Sequence, residues 1–302
     1  MDNIYDLIII GGGPAGLSAA LYAKRGNLNT LIIEKSAPGG QLININKLHN
    51  YPGFNQLDGA TLAYIMYEQV NELNVPFEFD EVIEVNIDEN NIKEVITLNN
   101  KFYCKNIIVA TGTTYANLKV AHERKFIGKG ISYCAVCDGK LFTNKDIVVV
   151  GSSDNALKES LYLCEFVNKL YLLTNEDISN SKYHNQILEN EKIEVIENSK
   201  IVSLLGVDKI EGVEISINKE IKKVLPVSGI FPLIGSLPSN SFLSRYPIFS
   251  SNGYMKVDEH FQTSIKGIYG VGDVVDKELR QVVTACSDGA IAGQYIASNK
   301  NK

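Results

Sequence analysis

The sequence predicts an α/β protein made of two three-layer domains with mostly parallel sheets. Three stretches predict it. The apolar run Tyr5 to Ile10 leads into Gly11-Gly12-Gly13-Pro14-Ala15-Gly16 and then a helical pattern from Leu17 to Arg25. The same opening recurs as the apolar run Asp146 to Val150, a turn, an amphipathic stretch through Val167 and the strand Lys169 to Leu173. An internal duplication produces such a repeat. Between them, Val75 to Thr97 alternates β-branched residues around Asn90-Asn91, which predicts an antiparallel appendage to the first domain. Both domains are therefore expected to be Rossmann-like, of the dinucleotide-binding type.

Each element of the first opening has a chemical reason. Gly11 permits the tight turn, Gly13 lets backbone approach a pyrophosphate, and Gly16 lets helix and strand pack closely. Pro14 and Ala15 complete the turn, and the helix behind them points its positive dipole end at the phosphates. A second strand, Asn29 to Ile33, ends at Glu34, with Lys35 next in the chain. The Glu34 carboxylate is placed to bind a ribose hydroxyl.

The 302 residues suffice for about two domains, and 45% apolar with 21% charged residues is ordinary for a globular chain. A net charge of -6 gives no indication of nucleic-acid binding. The N-terminus lacks the basic segment of a signal peptide, and no apolar run reaches the ~20 residues of a membrane span. Five cysteines in so long a chain do not make a secreted disulfide framework, so a cytoplasmic protein is expected.

Two of those cysteines stand in Ser132-Tyr133-Cys134-Ala135-Val136-Cys137-Asp138-Gly139. Such a pair shuttles two electrons between dithiol and disulfide, and the adjacent Asp138 carboxyl can manage protons. Half of a four-cysteine zinc site is the alternative, but there is no second CxxC, and Cys104, Cys164 and Cys286 stand alone. Cys104 and Cys164 sit among apolar neighbours and are expected to be buried, and core packing is expected of Cys286.

Near the C-terminus, Lys266-Gly-Ile-Tyr-Gly-Val-Gly272-Asp273-Val274 is followed by Arg280-Gln281-Val282-Val283-Thr284-Ala285. This segment resembles the second FAD motif of two-dinucleotide-domain flavoproteins. Ala110-Thr111-Gly112 matches the short motif where their chain leaves the FAD domain. Gly39-Gly40-Gln41-Leu42 and Asn50-Tyr51-Pro52-Gly53 match segments near the flavin. With the CxxC, the chain resembles low-molecular-weight thioredoxin reductase along nearly its whole length.

The resemblance implies an FAD domain of residues 1–115 and 236–302, split around an inserted, NADPH-like domain of residues 116–235 that carries the CxxC. It implies FAD contacts from Gly11, Gly13, Pro14, Ala15, Gly16, Glu34, Lys35, Gly40, Gln41, Asn50, Thr111, Gly112, Gly272, Asp273, Arg280, Gln281 and Val282. It gives Cys134 the exchange with the disulfide of thioredoxin, Cys137 the place against the flavin ring, and Asp138 the protonation of the leaving thiolate. For Asp138 a helix N-cap or turn role stands beside the catalytic one. A homodimer is expected.

The inserted domain departs from the family. Its turn should read GxGxxA, yet the chain has Gly151-Ser152-Ser153-Asp154-Asn155-Ala156, with Ser153 where the pyrophosphate approaches. The family's HRRxxxR, which binds the NADPH 2'-phosphate, is replaced by Thr174-Asn175-Glu176-Asp177-Ile178-Ser179-Asn180. The chain in this respect resembles ferredoxin-dependent flavin thioredoxin reductases, which lack both NADPH motifs, so reduced ferredoxin is the expected donor. An NAD(P)H enzyme with a divergent site, and a flavin-dependent dithiol oxidase using oxygen, are the alternatives. Lys119, His122, Arg124, Lys125 and Lys129 cluster before the CxxC, but Glu123 interrupts them, and the patch stays unassigned.

Overall fold

The computed structural model describes residues 4–45, 47–55 and 57–300. In chain order it begins β1 (Ile4–Ile10), α1 (Pro14–Arg25), β2 (Thr30–Ile33), α2 (Gly59–Asn71), β3 (Phe77–Glu78), β4 (Val82–Ile87), β5 (Lys93–Thr97), β6 (Lys101–Val109) and β7 (Thr113–Tyr115). There follow α3 (Glu123–Phe126), α4 (Ala135–Asp138), β8 (Asp146–Val150), α5 (Asp154–Cys164), β9 (Lys169–Thr174), α6 (His184–Leu188) and β10 (Ile193–Glu197). The rest are β11 (Ser199–Leu205), β12 (Gly212–Ile217), β13 (Ile221–Leu225), β14 (Gly229–Pro232), β15 (Ser236–Pro238), β16 (Ile268–Gly270) and α7 (Val282–Ser298). Two compact units result. One comprises the residues through Thr114 together with those from Leu237 onward, and the other runs from Tyr115 to Ser236.

In the first unit the strand order is β3-β2-β1-β6-β5-β4. β1 lies at the centre, parallel to β2 on one side and β6 on the other. Leu7, Ile8 and Ile9 are fully buried, as befits a strand covered on both faces. β6 shares its other edge between two strands, β5 antiparallel along its first half and β16 parallel along its second. The stretch predicted as one antiparallel appendage divides. β4 and β5 form the antiparallel hairpin, turned at Asn91 with φ 62°, while β3 adds a parallel pair to the opposite edge beside β2.

Helices α1 and α7 pack on one face of this sheet through small residues. A Cβ at Gly289 would lie 2.0 Å from the Ala15 carbonyl oxygen, and one at Gly293 2.5 Å from that of Ala19. The second unit has a helix layer, the parallel sheet β10-β9-β8-β14 and the antiparallel sheet β11-β12-β13. Ala156, Leu157 and Leu163 fill the helix side, and Ile201, Val213, Ile215 and Leu225 the other. Both units are FAD/NAD(P)-binding Rossmann-like folds. No helix of the described residues is long and apolar enough to cross a membrane.

Candidate functional site

The CxxC occupies the single turn α4. Cys134 is its N-cap and Cys137 its third residue, so the two Cα atoms stand 5.3 Å apart and the sulfurs are joined as a disulfide. Cys134 Sγ also accepts from the Cys137 N–H at 3.1 Å. Both cysteines are half-buried, and between them Val136 is exposed. Asp138 ends the turn, but its side chain makes no cap. Its Oδ2 instead accepts from the Ser132 hydroxyl at 2.7 Å, and the same hydroxyl oxygen accepts from the Cys134 N–H at 3.2 Å. The N-cap reading of Asp138 is thus replaced by a side-chain link through Ser132.

Two further acids frame the turn. Glu159 of α5 approaches the Ala135 N–H, and burial raises its carboxyl above the usual range. Glu123 is buried and accepts from the Tyr133 hydroxyl at 2.6 Å and the Leu118 N–H at 3.0 Å. The residue that breaks the basic run in sequence therefore points inward. Lys119, His122, Arg124, Lys125 and Lys129 are all exposed. Neither link is visible in sequence, because each depends on a turn of backbone that only the fold supplies.

At the carboxyl ends of β1 and β2 the glycine turn comes together. Gly11 has φ +105°, and a Cβ there would meet the Ala110 oxygen at 2.5 Å. A Cβ at Gly16 would lie 1.9 Å from the Gly11 oxygen. At Gly13 the situation differs, since a Cβ would find only Gly40 Cα at 4.0 Å. Gly13 and Gly40 thus pack against each other without side chains between them, a Cβ at Gly40 lying 3.4 Å from Gly13 Cα, and α1 begins there with Pro14 and no side-chain cap. Glu34 is buried, its two oxygens accepting from Gly12 N–H at 2.6 Å and Ser36 N–H at 2.8 Å. Lys35 turns away, 3.6 Å from Glu81 on the surface.

The other predicted contacts arrive from separate segments. Gln41 donates to the Thr113 carbonyl, and Asn50 donates to Gln281 Oε1 at 2.8 Å. Gln281 caps α7, which begins at Val282, through a reciprocal pair with Thr284. Gly112 has φ 64°, and Arg280 lies 4.1 Å over the Tyr254 ring. Thr111 Oγ1 and Asp273 Oδ1 are buried without a hydrogen-bond partner. Burial raises the Asp273 carboxyl pKa, against the pull of Lys277 and Arg280. A glycine-walled turn, an uncapped helix start and two orphaned oxygens suit a dinucleotide bearing phosphates and hydroxyls. Cys104 and Cys164 are buried as expected, while Cys286 is only half-buried, its sulfur 4.0 Å from the Tyr51 hydroxyl.

The matching turn of the second unit is differently equipped. Ser153 caps α5, its Oγ accepting from the Ala156 N–H at 3.3 Å, and Asp154 follows in the first turn. Ser152 Oγ accepts from the N–H groups of Asn175 and Glu176, both at 3.3 Å. Asp177 is occupied by Ser179, through its N–H at 2.8 Å and its hydroxyl at 2.7 Å. Thr174 Oγ1, at the end of β9, is buried without a partner.

The family model for pyridine nucleotide-disulphide oxidoreductases matches residues 5–289. The thioredoxin reductase of Ureaplasma parvum is 39% identical over 298 residues, covering 97% of this chain and 96% of the relative. That of Bacillus subtilis is 36% identical, covering 98% and 94%. The crystal structure of thioredoxin reductase from Streptococcus pyogenes superposes with a TM-score of 0.92 at 37% identity, covering 98% of each chain. Spanned by that model and matched by these relatives along almost its full length, the chain belongs to the pyridine nucleotide-disulphide oxidoreductases, within the low-molecular-weight thioredoxin reductase family of FAD flavoproteins.

Proposed function

We propose that this chain reduces the disulfide of thioredoxin through FAD and the Cys134/Cys137 pair, with reduced ferredoxin rather than NADPH as electron donor. The contrast between two helix starts carries the choice of donor. The start of α1 carries no side-chain cap and meets only the bare backbone of Gly40, whereas that of α5 is capped by Ser153 and flanked by Asp154. A pyrophosphate at α5 would have to displace Ser153 Oγ from the Ala156 N–H and lie against a carboxylate. A 2'-phosphate beyond β9 would meet Glu176 and Asp177 instead of cations. Each charge-assisted contact forgone there is worth on the order of 1.5–3 kcal/mol.

In this reading Gly11, Gly13 and the first residues of α1 hold the FAD pyrophosphate, Glu34 a ribose, and Thr111 and Asp273 the remaining polar groups. When bound, FAD takes up electrons singly and releases them as a pair. The disulfide accepts two electrons and two protons to give the dithiol. The Cys134 thiolate then attacks thioredoxin's disulfide, and a mixed disulfide forms as one thioredoxin thiolate leaves. Cys137 next attacks Cys134 Sγ, which restores the internal disulfide and frees reduced thioredoxin. Asp138, steadied by Ser132, gives the leaving thiolate its proton. We place this cycle in a reducing cytoplasm, with the chain as a homodimer.

The orphaned Thr174 Oγ1 favours a second reading, an NAD(P)H enzyme with a divergent site. Anaerobic mixing of the oxidised holoprotein with each reductant, followed by flavin bleaching, separates the two. Rapid bleaching by reduced ferredoxin and none by micromolar NADPH or NADH is expected. Rapid bleaching by NADPH overturns the choice of donor, and oxygen uptake with a small dithiol, without thioredoxin reduction, overturns the reductase itself.

A further inference from the structure

The loop that carries Asp273 is held by two residues to which no role has been given. Asp288, on α7, is buried, and its Oδ2 accepts from the Gly272 N–H at 2.9 Å and from Lys277 Nζ at 2.6 Å. Gly272 has φ +75°, a conformation glycine adopts without strain, and a Cβ there would lie 2.9 Å from that of Ala15, so the turn sits close against α1. Arg280 holds the other side through the carbonyls of Asp273 and Val275, at 3.3 and 3.2 Å. Asp273 Oδ1 is left buried and unpartnered.

We propose that Asp288 and Lys277 are positioning residues for the cofactor: the pair fixes the Gly272–Asp273 turn and so places the Asp273 carboxylate as an acceptor for FAD hydroxyls. The inference rests on the reading of Asp273 as a cofactor-facing residue. Three ionisable groups act on Asp273. Lys277 and Arg280 of its own loop favour the charged form, and Asp288 of α7 disfavours it; the apolar Ala15 of α1 and Ala285 of α7 stand nearest a Cβ built on Gly272. Burial already pushes the Asp273 carboxyl upward. Protonation converts it from acceptor to donor and weakens the hold on FAD, so holoprotein should release FAD on acidification.

The two members of the pair should then act in opposite directions. Lys277→Met removes a favourable charge and leaves the buried Asp288 carboxylate acting on Asp273 without that offset. Asp288→Asn keeps an acceptor for the Gly272 N–H, removes the unfavourable charge and frees Lys277 for Asp273. The experiment is FAD release from purified holoprotein across an acidic-to-neutral series, read as the rise in free-flavin fluorescence. The release midpoint should move up in Lys277→Met and down in Asp288→Asn, each by about one pH unit. Asp288→Ala, without an acceptor for Gly272, should release FAD more readily at every pH. If both single variants loosen FAD equally at all pH values, or neither moves the midpoint, the inference is overturned. Asp273→Asn separates the layers: a wild-type pH profile in that variant overturns the placement of Asp273, and the inference with it.

Discussion

Ser132 shows how much chemistry rests on one hydroxyl. It links the Asp138 carboxylate to the Cys134 amide. Removing a hydrogen bond of this kind costs about 1 kcal/mol, roughly a fivefold change in rate if it is felt in the transition state. Ser132→Ala should therefore slow thiol exchange with thioredoxin severalfold and leave flavin reduction unchanged, a split that stopped-flow half-reactions measure directly. Cys134→Ser and Cys137→Ser should each abolish thioredoxin reduction and retain FAD, and Cys134→Ser should form no mixed disulfide. At this scale the sequence was legible where chemistry depends on neighbours in the chain. The cysteine spacing and the Gly11–Gly16 turn are such cases. It was silent where a partner lies far along the chain, as with Glu123 under Tyr133 or Asp288 behind Gly272. Lys35 pairs on the surface with Glu81, a distant partner that its neighbours in sequence do not suggest.

Two helices that begin alike on paper differ in what their first turn offers. Both follow a buried strand and a glycine turn, and a periodic apolar pattern foretold both. The departure of Ser153 from glycine was also visible in sequence. That its hydroxyl would cap the Ala156 N–H was not, because capping depends on the extended backbone at Ser153, with φ -74° and ψ 158°. Glycine at an N-cap costs only a few tenths of a kcal/mol, so the helix tolerates the change. Ser153→Gly combined with Glu176→Arg should reopen the amides and supply a cation. Flavin bleaching by NADPH should then rise at least about tenfold over the parent chain, as stopped-flow absorbance would record. No gain would place the lesion elsewhere in the second unit.

The whole molecule carries a buried charge that its global stability should report. Lys93 of β5 is fully buried, and its ammonium donates to the carbonyls of Asn91 at 2.9 Å and Lys105 at 2.7 Å. Burial pulls its pKa from 10.5 down to about 8. Between those values the unfolded chain binds the extra proton and the folded chain does not, so this residue should make stability rise with pH across that window. The full effect is on the order of 3 kcal/mol. Denaturant titrations of the parent and Lys93→Met across that window should show stability rising with pH more steeply in the parent than in the variant. A lysine in a β-branched strand gave no warning of this in sequence, since only the closeness of Gly267, where a Cβ would meet Nζ at 2.3 Å, closes the space around it. The seam of α1 and α7 has a consequence for biosynthesis. Ala15 and Ala19 find their packing partners in Gly289 and Gly293, so a nascent chain that has displayed its glycine turn early still lacks the surface that completes that unit. The second unit leaves the ribosome whole while the first waits for its far end. FAD capture therefore belongs to the end of translation, and a stalled or truncated product should emerge colourless.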